Sequence, residues 1–227
     1  MNRIRVINTI IARRGARTYL EIGVKKGLTF RQVEARVKVG VDPGWPGLAF
    51  YWYLLRTGGA KFFRVTSDTF FEKRAGRLGN EGIDVALVDG LHEYHQSLRD
   101  VQHCLEYLSP DGAIVMHDCN PQSESAARPV GRHEPGAPGY GPGTWNGDVY
   151  KTIVYLRSQC SDLRVFVLDC DHGVGVITRR QPEGMLNMDP AAIEKMTYAD
   201  LEKDRTHILN LKPADYLHEF LAGRSAR

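Results

Sequence analysis

Short apolar runs that alternate with helix-period segments constrain the fold of this chain more than any other feature. Seven such runs lie at residues 18–22, 37–41, 62–66, 83–88, 113–116, 164–168 and 173–178. This alternation predicts a doubly wound α/β sheet, mostly parallel, with helices on both faces. Only the short stretch 169–172 separates the last two runs, so we expect an antiparallel edge hairpin in a seven-stranded sheet.

The remaining segments frame one predicted domain that spans residues 1–227. Isoleucines at helical spacing predict an amphipathic helix over residues 1–14. Residues 119–147 contain five prolines and no periodicity, which is typical of a lid or a loop that binds an acceptor. Residues 181–227 form a polar C-terminal extension in which two short helices are expected.

Composition excludes several classes of function. A net charge of +3 without a dense basic stretch gives no reason to expect nucleic acid as a partner. No apolar run is long enough to span a membrane. The four cysteines lack paired or metal-type spacing, which is typical of reduced thiols in a cytoplasmic protein.

Acidic residues stand at or just beyond the ends of five successive runs, at Glu21, Asp42, Asp68, Asp89 and Asp118. In a doubly wound sheet, ligands bind outside the carboxyl ends of the strands, so these side chains are candidates for one site. Two of them have plain structural explanations as well. Asp68 could cap the following helix, and Asp42 could belong to an Asp-Pro-Gly turn.

The first run ends in a glycine-containing loop, in which Glu21 precedes Gly23 and Gly27. The glycines allow a ligand to approach the backbone at a helix start, and Asp42 stands where an acid can accept both ribose hydroxyls. The loop differs from the dinucleotide fingerprint because a carboxylate replaces its first glycine. We therefore expect a cationic or amino-bearing ligand rather than NAD.

Three stretches carry a family resemblance. The motifs LEIGVKKGLT, VGVDPG and IDVALVDGLHEYHQSLRDVQHCLEYLSPDGAIVMHD resemble those of class I S-adenosylmethionine-dependent methyltransferases, over roughly residues 15–120. The resemblance implies a Rossmann-like fold in which Glu21, Gly23 and Gly27 hold the methionine part of the cofactor. Asp42 would hold the ribose and Asp68 the adenine edge.

The pairing of Asp-Gly-x-His with His-Asp resembles the branch that contains metal-dependent sugar O-methyltransferases of macrolide and other glycoside pathways. Asp89 and Asp118 end neighbouring strands, so their carboxylates can converge on Mg²⁺ or Mn²⁺. His92 then becomes the candidate base for the acceptor hydroxyl. Relatives often carry an acid where this chain has His117, so we take His117 as a candidate third metal ligand. An Asp-Gly turn with a histidine at a helix start is the simpler alternative.

The acceptor is expected to be a saccharide or glycoside held by Trp145 and Asp148, although a helix cap and a core tryptophan would explain these two residues equally well. A catechol-type acceptor is the alternative within the family. A metallohydrolase built on the same acids and histidines would leave Glu21 and Asp42 unexplained. A non-catalytic cofactor-binding protein would need no acid–histidine pair. We also expect a homo-oligomer.

Overall fold

The computed structural model describes residues 1–78, 82–129 and 145–223. Its strands form one eight-stranded sheet with the order β3-β2-β1-β4-β5-β7-β6-β8. The strands are β1 (Thr18–Ile22), β2 (Val37–Val41), β3 (Ala60–Phe63), β4 (Ile83–Val88), β5 (Leu108–Met116), β6 (Leu163–Leu168), β7 (Val174–Arg179) and β8 (Leu211–Lys212).

Helices connect these strands and cover both faces of the sheet. They are α1 (Arg3–Arg14), α2 (Leu28–Gln32), α3 (Leu48–Arg56), α4 (Ser67–Arg74), α5 (Tyr94–Tyr107), α6 (Tyr150–Gln159), α7 (Pro190–Lys195), α8 (Tyr198–Lys203), α9 (Arg205–Leu209) and α10 (Tyr216–Ala222). A short 3₁₀ turn, Ala75–Leu78, follows α4. One apolar cluster lies on each face of the sheet, as expected for a doubly wound fold.

The predicted fold class is confirmed. Strands β1 to β5 pair in parallel, and β7 runs antiparallel to both β5 and β6. The predicted hairpin is therefore the β6–β7 pair. Because β6 runs in the same direction as the central strands, the turn after β6 lies at the same edge of the sheet as their carboxyl ends.

The predicted number of strands was wrong, because the sheet has eight strands rather than seven. The additional strand, β8, has two residues in the C-terminal extension and pairs in parallel with β6. Such a short strand is formed by docking against an existing edge, and it leaves no periodic pattern in the sequence.

The N-terminal helix buries Val6, Ile7, Ile10 and Ile11, in agreement with its apolar stripe. Of the predicted loop 119–147, residues 130–144 lie outside the described residues. Within the described ranges, no helix is both long and apolar enough to cross a membrane.

Candidate active site

Two aspartates meet where neighbouring strands end. Asp89 follows β4 and Asp118 follows β5, and the parallel pairing of the two strands continues to this point because the His117 amide donates to the Val88 carbonyl at 3.1 Å. Asp118 has a left-handed backbone with φ of 61°, so the chain turns sharply here. The sheet thus places both carboxylates at one edge.

Two histidines contact these carboxylates. His92 Nε2 lies 3.6 Å from Asp89 Oδ1 and 3.4 Å from Asp118 Oδ2. His117 Nδ1 lies 3.5 Å from Asp89 Oδ1 and 3.0 Å from Asp118 Oδ2. The four residues predicted from the sequence therefore form one cluster, which we call the acid–histidine cluster.

Two further charged residues, Asp171 and Arg3, contact the other ring nitrogen of His117. Asp171 Oδ2, in the turn after β6, lies 3.6 Å from His117 Nε2, and Arg3 Nη1 lies 3.0 Å from both of these atoms. Burial alone would lower the pKa of His117, but hydrogen bonds with Asp118, Asp171 and Asp89 raise it to about 11. The three carboxylates therefore favour the protonated form of His117, which could bind a metal only after releasing a proton.

The same contacts act on Asp89. Burial favours its protonated form, but hydrogen bonds from His117 and His92, together with the charge of Arg3, hold its pKa below the usual range. The Arg3 Nε atom lies 3.6 Å from Asp89 Oδ2. His117, His92 and Arg3 therefore stabilise the ionised form of Asp89.

His92 is held in place by the segment that precedes α6. Its ring stacks on Trp145 with centroids 4.8 Å apart, and its Nδ1 lies 3.2 Å from the Trp145 carbonyl oxygen. Gly147 has φ of 67°, and a Cβ there would lie 1.8 Å from the His92 carbonyl oxygen, so only glycine fits. Burial lowers the pKa of His92, but the Asp89 hydrogen bond and the charge of Asp118 leave it above 6.5.

The glycine loop after β1 adjoins the acid–histidine cluster. Gly23 has φ of 90°, and a Cβ at this position would lie 1.9 Å from the Asp89 carbonyl oxygen. The Asp89 amide in turn donates to the Ile22 carbonyl at 2.9 Å. Any side chain at residue 23 would push the loop away from Asp89, so glycine is required for this close approach.

Glu21, one strand away from Asp89, has a very different environment. Its side chain is buried, and it accepts a hydrogen bond of 2.6 Å from the Tyr19 hydroxyl. Burial raises its pKa to about 8, against the lowering effect of that hydrogen bond. Glu21 has no ion-pair partner within the described ranges.

Two other residues predicted to bind the cofactor, Asp42 and Gly27, lie in or beside the glycine loop. Asp42 accepts hydrogen bonds of 2.7 Å from the amides of Lys25 and Gly44, so it orders both its own turn and the glycine loop. Gly27 has φ of 71° and packs so closely on the Phe50 ring that a Cβ would lie 2.2 Å from it. Asp42 thus adopts the predicted turn and also lies beside the loop.

Two predicted site residues make structural contacts. Asp68 lies in the first turn of α4, half-exposed, 3.6 Å from Arg99 Nη2 and 3.7 Å from His103 Nε2. Asp148 accepts from the Tyr94 amide at 2.8 Å, so it caps the start of α5. These contacts hold α4 and α6 against α5, and the ligand roles of both residues stay predictions.

Three contributors to the site were missed from the sequence. Arg3 belongs to α1, Asp171 to the turn after β6, and Asn146 donates from its side chain to Asp118 Oδ1 at 2.9 Å. The DCDHG turn could have been found, because β6 ends at the same edge as β4. Nothing in the local pattern indicated Arg3, which reaches the site only through the docking of α1.

The donor atoms of Asp89, His92 and Asp118 all lie within 4.8 Å of one another and could hold a metal ion. Two carboxylates and one imidazole are a donor set that Mg²⁺ or Mn²⁺ accepts. The cluster therefore fits a divalent cation in the chemistry of its ligands. The grouping includes His92 rather than the predicted His117.

The comparisons with known proteins agree with this arrangement. The family model described as a methyltransferase domain matches residues 20–119, which contain both Glu21 and the acid–histidine cluster. The chain is thus similar to this family over 100 of its 227 residues. Its resemblance to the class I S-adenosylmethionine-dependent methyltransferases is thereby confirmed for this part of the chain. No curated protein sequence matches the chain.

Solved methyltransferases share the fold. The SAH-bound methyltransferase PaMTH1 of Podospora anserina is 16% identical, with a TM-score of 0.59 over 78% of this chain and 77% of its own. The O-methyltransferase TomG of Streptomyces achromogenes, which takes part in tomaymycin synthesis and was solved with SAM, is 15% identical. Its TM-score is 0.56 over 78% of this chain and 79% of its own.

Proposed function

We propose that this methyltransferase transfers the methyl group of S-adenosylmethionine to a hydroxyl group of a saccharide or glycoside, assisted by a divalent cation. The close approach of Gly23 to the Asp89 carbonyl carries the proposal. It makes the loop expected to hold the methyl donor and the cluster expected to activate the acceptor parts of one continuous surface. Proximity of donor and acceptor is the first requirement of methyl transfer.

On the donor side, Glu21 would pair with the ammonium group of the cofactor. A carboxyl with a raised pKa and no cationic partner is stabilised as a carboxylate when a ligand brings the charge. Asp42 would accept the ribose hydroxyls, since its carboxylate already orders the neighbouring loop. Asp68 would contact the adenine edge of the cofactor.

On the acceptor side, Asp89 and Asp118 would hold the cation, with His117 as a further ligand once it has released its proton. A bound divalent cation lowers the pKa of a hydroxyl group that it contacts. Asn146 and Arg3 orient the two carboxylates through the contacts described above. The grouping of Asp89 and Asp118 with a nearby imidazole supports a cation site at this cluster.

His92 would accept the proton of the acceptor hydroxyl. When the carbon–sulfur bond of the donor breaks and the carbon–oxygen bond of the ether forms, that proton must leave the oxygen. His92 contacts both carboxylates, which makes its imidazole more basic than usual, and Trp145 fixes the plane of the ring. These contacts support a positioned base.

A saccharide acceptor is favoured by the surroundings of His92. Trp145 is only partly buried and lies directly beside the ring that would receive the proton. An aromatic face next to carboxylates is a common way to hold a sugar ring, because the ring stacks and its hydroxyls find acceptors. A cytoplasmic location is part of the proposal, supported by the four cysteines, which are free.

An acceptor screen with methyl-labelled S-adenosylmethionine tests the proposal. We expect label in the ether of a saccharide or glycoside with Mg²⁺ or Mn²⁺, and none with EDTA. The variants Asp89→Asn and Asp118→Asn should need far more metal while S-adenosylhomocysteine still binds. Full activity after thorough metal removal would contradict the role of the cation. Labelling of catechols but of no saccharide would contradict the proposed acceptor.

A further inference from the structure

Helix α3 is apolar on every side, yet only part of it is covered. Its sequence, LAFYWYLLR, contains a single charged residue, Arg56, and only Phe50 is fully buried. Leu48, Trp52 and Leu55 are 70%, 62% and 80% exposed. A helix that is apolar all round is normally enclosed by protein or lipid. The outer face of α3 is not enclosed by any part of the chain that the structure describes.

The exposed side chains extend beyond α3 as one ridge. Leu48, Trp52 and Leu55 stand at helical positions i, i+4 and i+7, on one face. Trp45, which precedes α3 and is also exposed, packs against Tyr51 of this helix with ring centroids 4.8 Å apart. We call the exposed side chains of this region the α2–α3 ridge; they are Leu28, Trp45, Leu48, Trp52 and Leu55.

Packing connects the two helices of the ridge. The Phe30 ring of α2 lies 5.4 Å from the Phe50 ring of α3, centroid to centroid, in an edge-to-face arrangement. Gly27, which precedes α2, abuts Phe50 as well. The exposed Leu28 therefore lies on a helix that is fixed to α3, and the ridge is a rigid feature of the fold.

The segment of the chain that contains this ridge is rich in basic residues. Residues 25–64 contain eight lysines and arginines against two acids, a formal charge of +6 in a chain whose total is +3. One of the eight, Lys38, is buried against backbone carbonyls. The other seven are exposed; they are Lys25, Lys26, Arg31, Arg36, Arg56, Lys61 and Arg64.

We propose that the α2–α3 ridge inserts into the interfacial region of an anionic membrane. The exposed lysines and arginines of residues 25–64 would then contact the lipid phosphates. Tryptophan and leucine on one face with lysine and arginine around them is the side-chain pattern of interfacial protein segments. Basic side chains near an anionic leaflet add electrostatic attraction for each charge. The chain would lie on the membrane surface, since none of its described helices could cross it.

A second copy of the chain fits this surface less well. In a two-fold dimer the same patch meets itself, so two ridges would bring their surrounding positive charges together. Only Glu34 and Asp42 could offset them within residues 25–64, and Asp42 is engaged by Lys25 and Gly44 amides. Charge complementarity therefore favours an anionic lipid surface over self-association.

Vesicle binding tests the proposal. The full chain is mixed with vesicles of phosphatidylcholine and phosphatidylglycerol at a 3:1 ratio, or of phosphatidylcholine alone, and sedimented at two salt concentrations. We expect binding to the anionic vesicles that weakens strongly at high salt, and little binding to the neutral ones. Two of the three tryptophans, Trp45 and Trp52, lie in the ridge, so the fluorescence should shift to the blue on binding.

Matched variants distinguish vesicle binding through the α2–α3 ridge from nonspecific electrostatic binding. Trp52→Gln with Leu55→Gln should lower vesicle binding by at least about tenfold, because both side chains lose their insertion into the interface. Arg31→Gln with Arg56→Gln should lower binding to the anionic vesicles. Lys195→Gln with Lys203→Gln removes the same charge from the C-terminal helices and should leave binding unchanged. All three double variants alter exposed residues, and thermal melts check that they fold.

Two outcomes would overturn the proposal. One is equal vesicle binding by wild type and by the Trp52→Gln, Leu55→Gln variant. The other is the absence of binding to anionic vesicles. In that case analytical ultracentrifugation should be used to look for a concentration-dependent dimer that the same variant abolishes. That result would assign the ridge to a second copy. Because the readout is binding rather than catalysis, failure here would leave the proposed methyl transfer untouched.

Discussion

Glu21 and Asp89 lie at the ends of neighbouring parallel strands, and the chain shifts their pKa values in opposite directions. Burial raises the pKa of Glu21 to about 8, and its carboxylate accepts a hydrogen bond from the Tyr19 hydroxyl. The pKa of Asp89 lies below its usual range because His117, His92 and Arg3 surround it, although burial opposes them. Among the residues that the structure describes, Glu21 has no ion-pair partner, whereas Asp89 has three.

This difference fits the separate roles proposed for the two halves of this sheet edge, the Glu21 half with its glycine loop and the Asp89 half with the acid–histidine cluster. The Glu21 half would be complete only when a ligand brings a positive charge, which S-adenosylmethionine would do through its ammonium group. The Asp89 half is organised by the chain before any ligand binds, as expected for a site that must hold reacting groups in fixed positions. The comparison can be tested on each half separately.

The largest effect on activity is expected at the Asp89 half. His92→Gln should lower kcat by about 10²–10⁴, the usual contribution of a general base, with little change in affinity for S-adenosylhomocysteine. Steady-state kinetics and calorimetry measure the two quantities. His95→Gln is a matched control, because His95 is exposed on α5 and pairs with Glu194 away from the site.

The variant His117→Gln, measured in the same assay, distinguishes the role proposed for His117 as a metal ligand from the role proposed for His92 as the base. If His117 serves as a metal ligand, added Mg²⁺ or Mn²⁺ should partly restore the lost rate. Near-normal turnover of His92→Gln, together with complete loss in His117→Gln that metal does not restore, would exchange the two proposed roles.

The next largest effect is a change in the free energy of unfolding that depends on the ionisation of Glu21. The pKa of Glu21 is about 8 in the folded protein and 4.5 in an unfolded chain, so folding favours its protonated form. This contribution is complete below pH 4.5 and is lost as the pH rises to about 8. The ligand-free variant Glu21→Gln should therefore be more stable than wild type at pH 9, by on the order of 3 kcal/mol.

Denaturant melts at several pH values measure this difference, which should shrink steadily towards acid pH. Glu34→Gln, at an exposed position, should follow the wild-type curve. A constant difference between Glu21→Gln and wild type across the pH range would show that Glu21 does not titrate in the way described.

The smallest of these effects concerns Asp42. Asp42→Ala should weaken binding of S-adenosylhomocysteine by about 1.5–3 kcal/mol, because two ribose hydroxyls lose a charged acceptor. Isothermal calorimetry measures the loss. Asp42→Asn keeps an oxygen that can accept from the Lys25 and Gly44 amides, so it should lose less. Equal losses in both variants would indicate that Asp42 acts only by ordering the loop.

The two halves also differ in how far the sequence predicts them. Gly23, Gly27 and Asp42 lie in short motifs whose backbone requirements are local, and the structure places them side by side as expected. Strands β1, β2 and β4 were predicted with their observed bounds because each is a continuous buried run.

The acid–histidine cluster was predicted only in part. Asp89 and Asp118 followed from the rule that parallel strands end at one edge. Arg3 and Asp171 are 168 residues apart in the sequence and meet through the packing of α1 and the return of β6. Contacts of this kind depend on tertiary docking, as does strand β8, and they leave no periodic signal.

The most direct test of the account is calorimetric titration with S-adenosylhomocysteine near pH 7, in buffers of different ionisation enthalpy. Its ammonium group should pair with Glu21 and lower the raised pKa of that carboxyl, so binding should release about one proton per molecule. The release should disappear in Glu21→Gln. Binding of NAD without any response to S-adenosylhomocysteine, or binding of S-adenosylhomocysteine with no buffer dependence, would contradict the account.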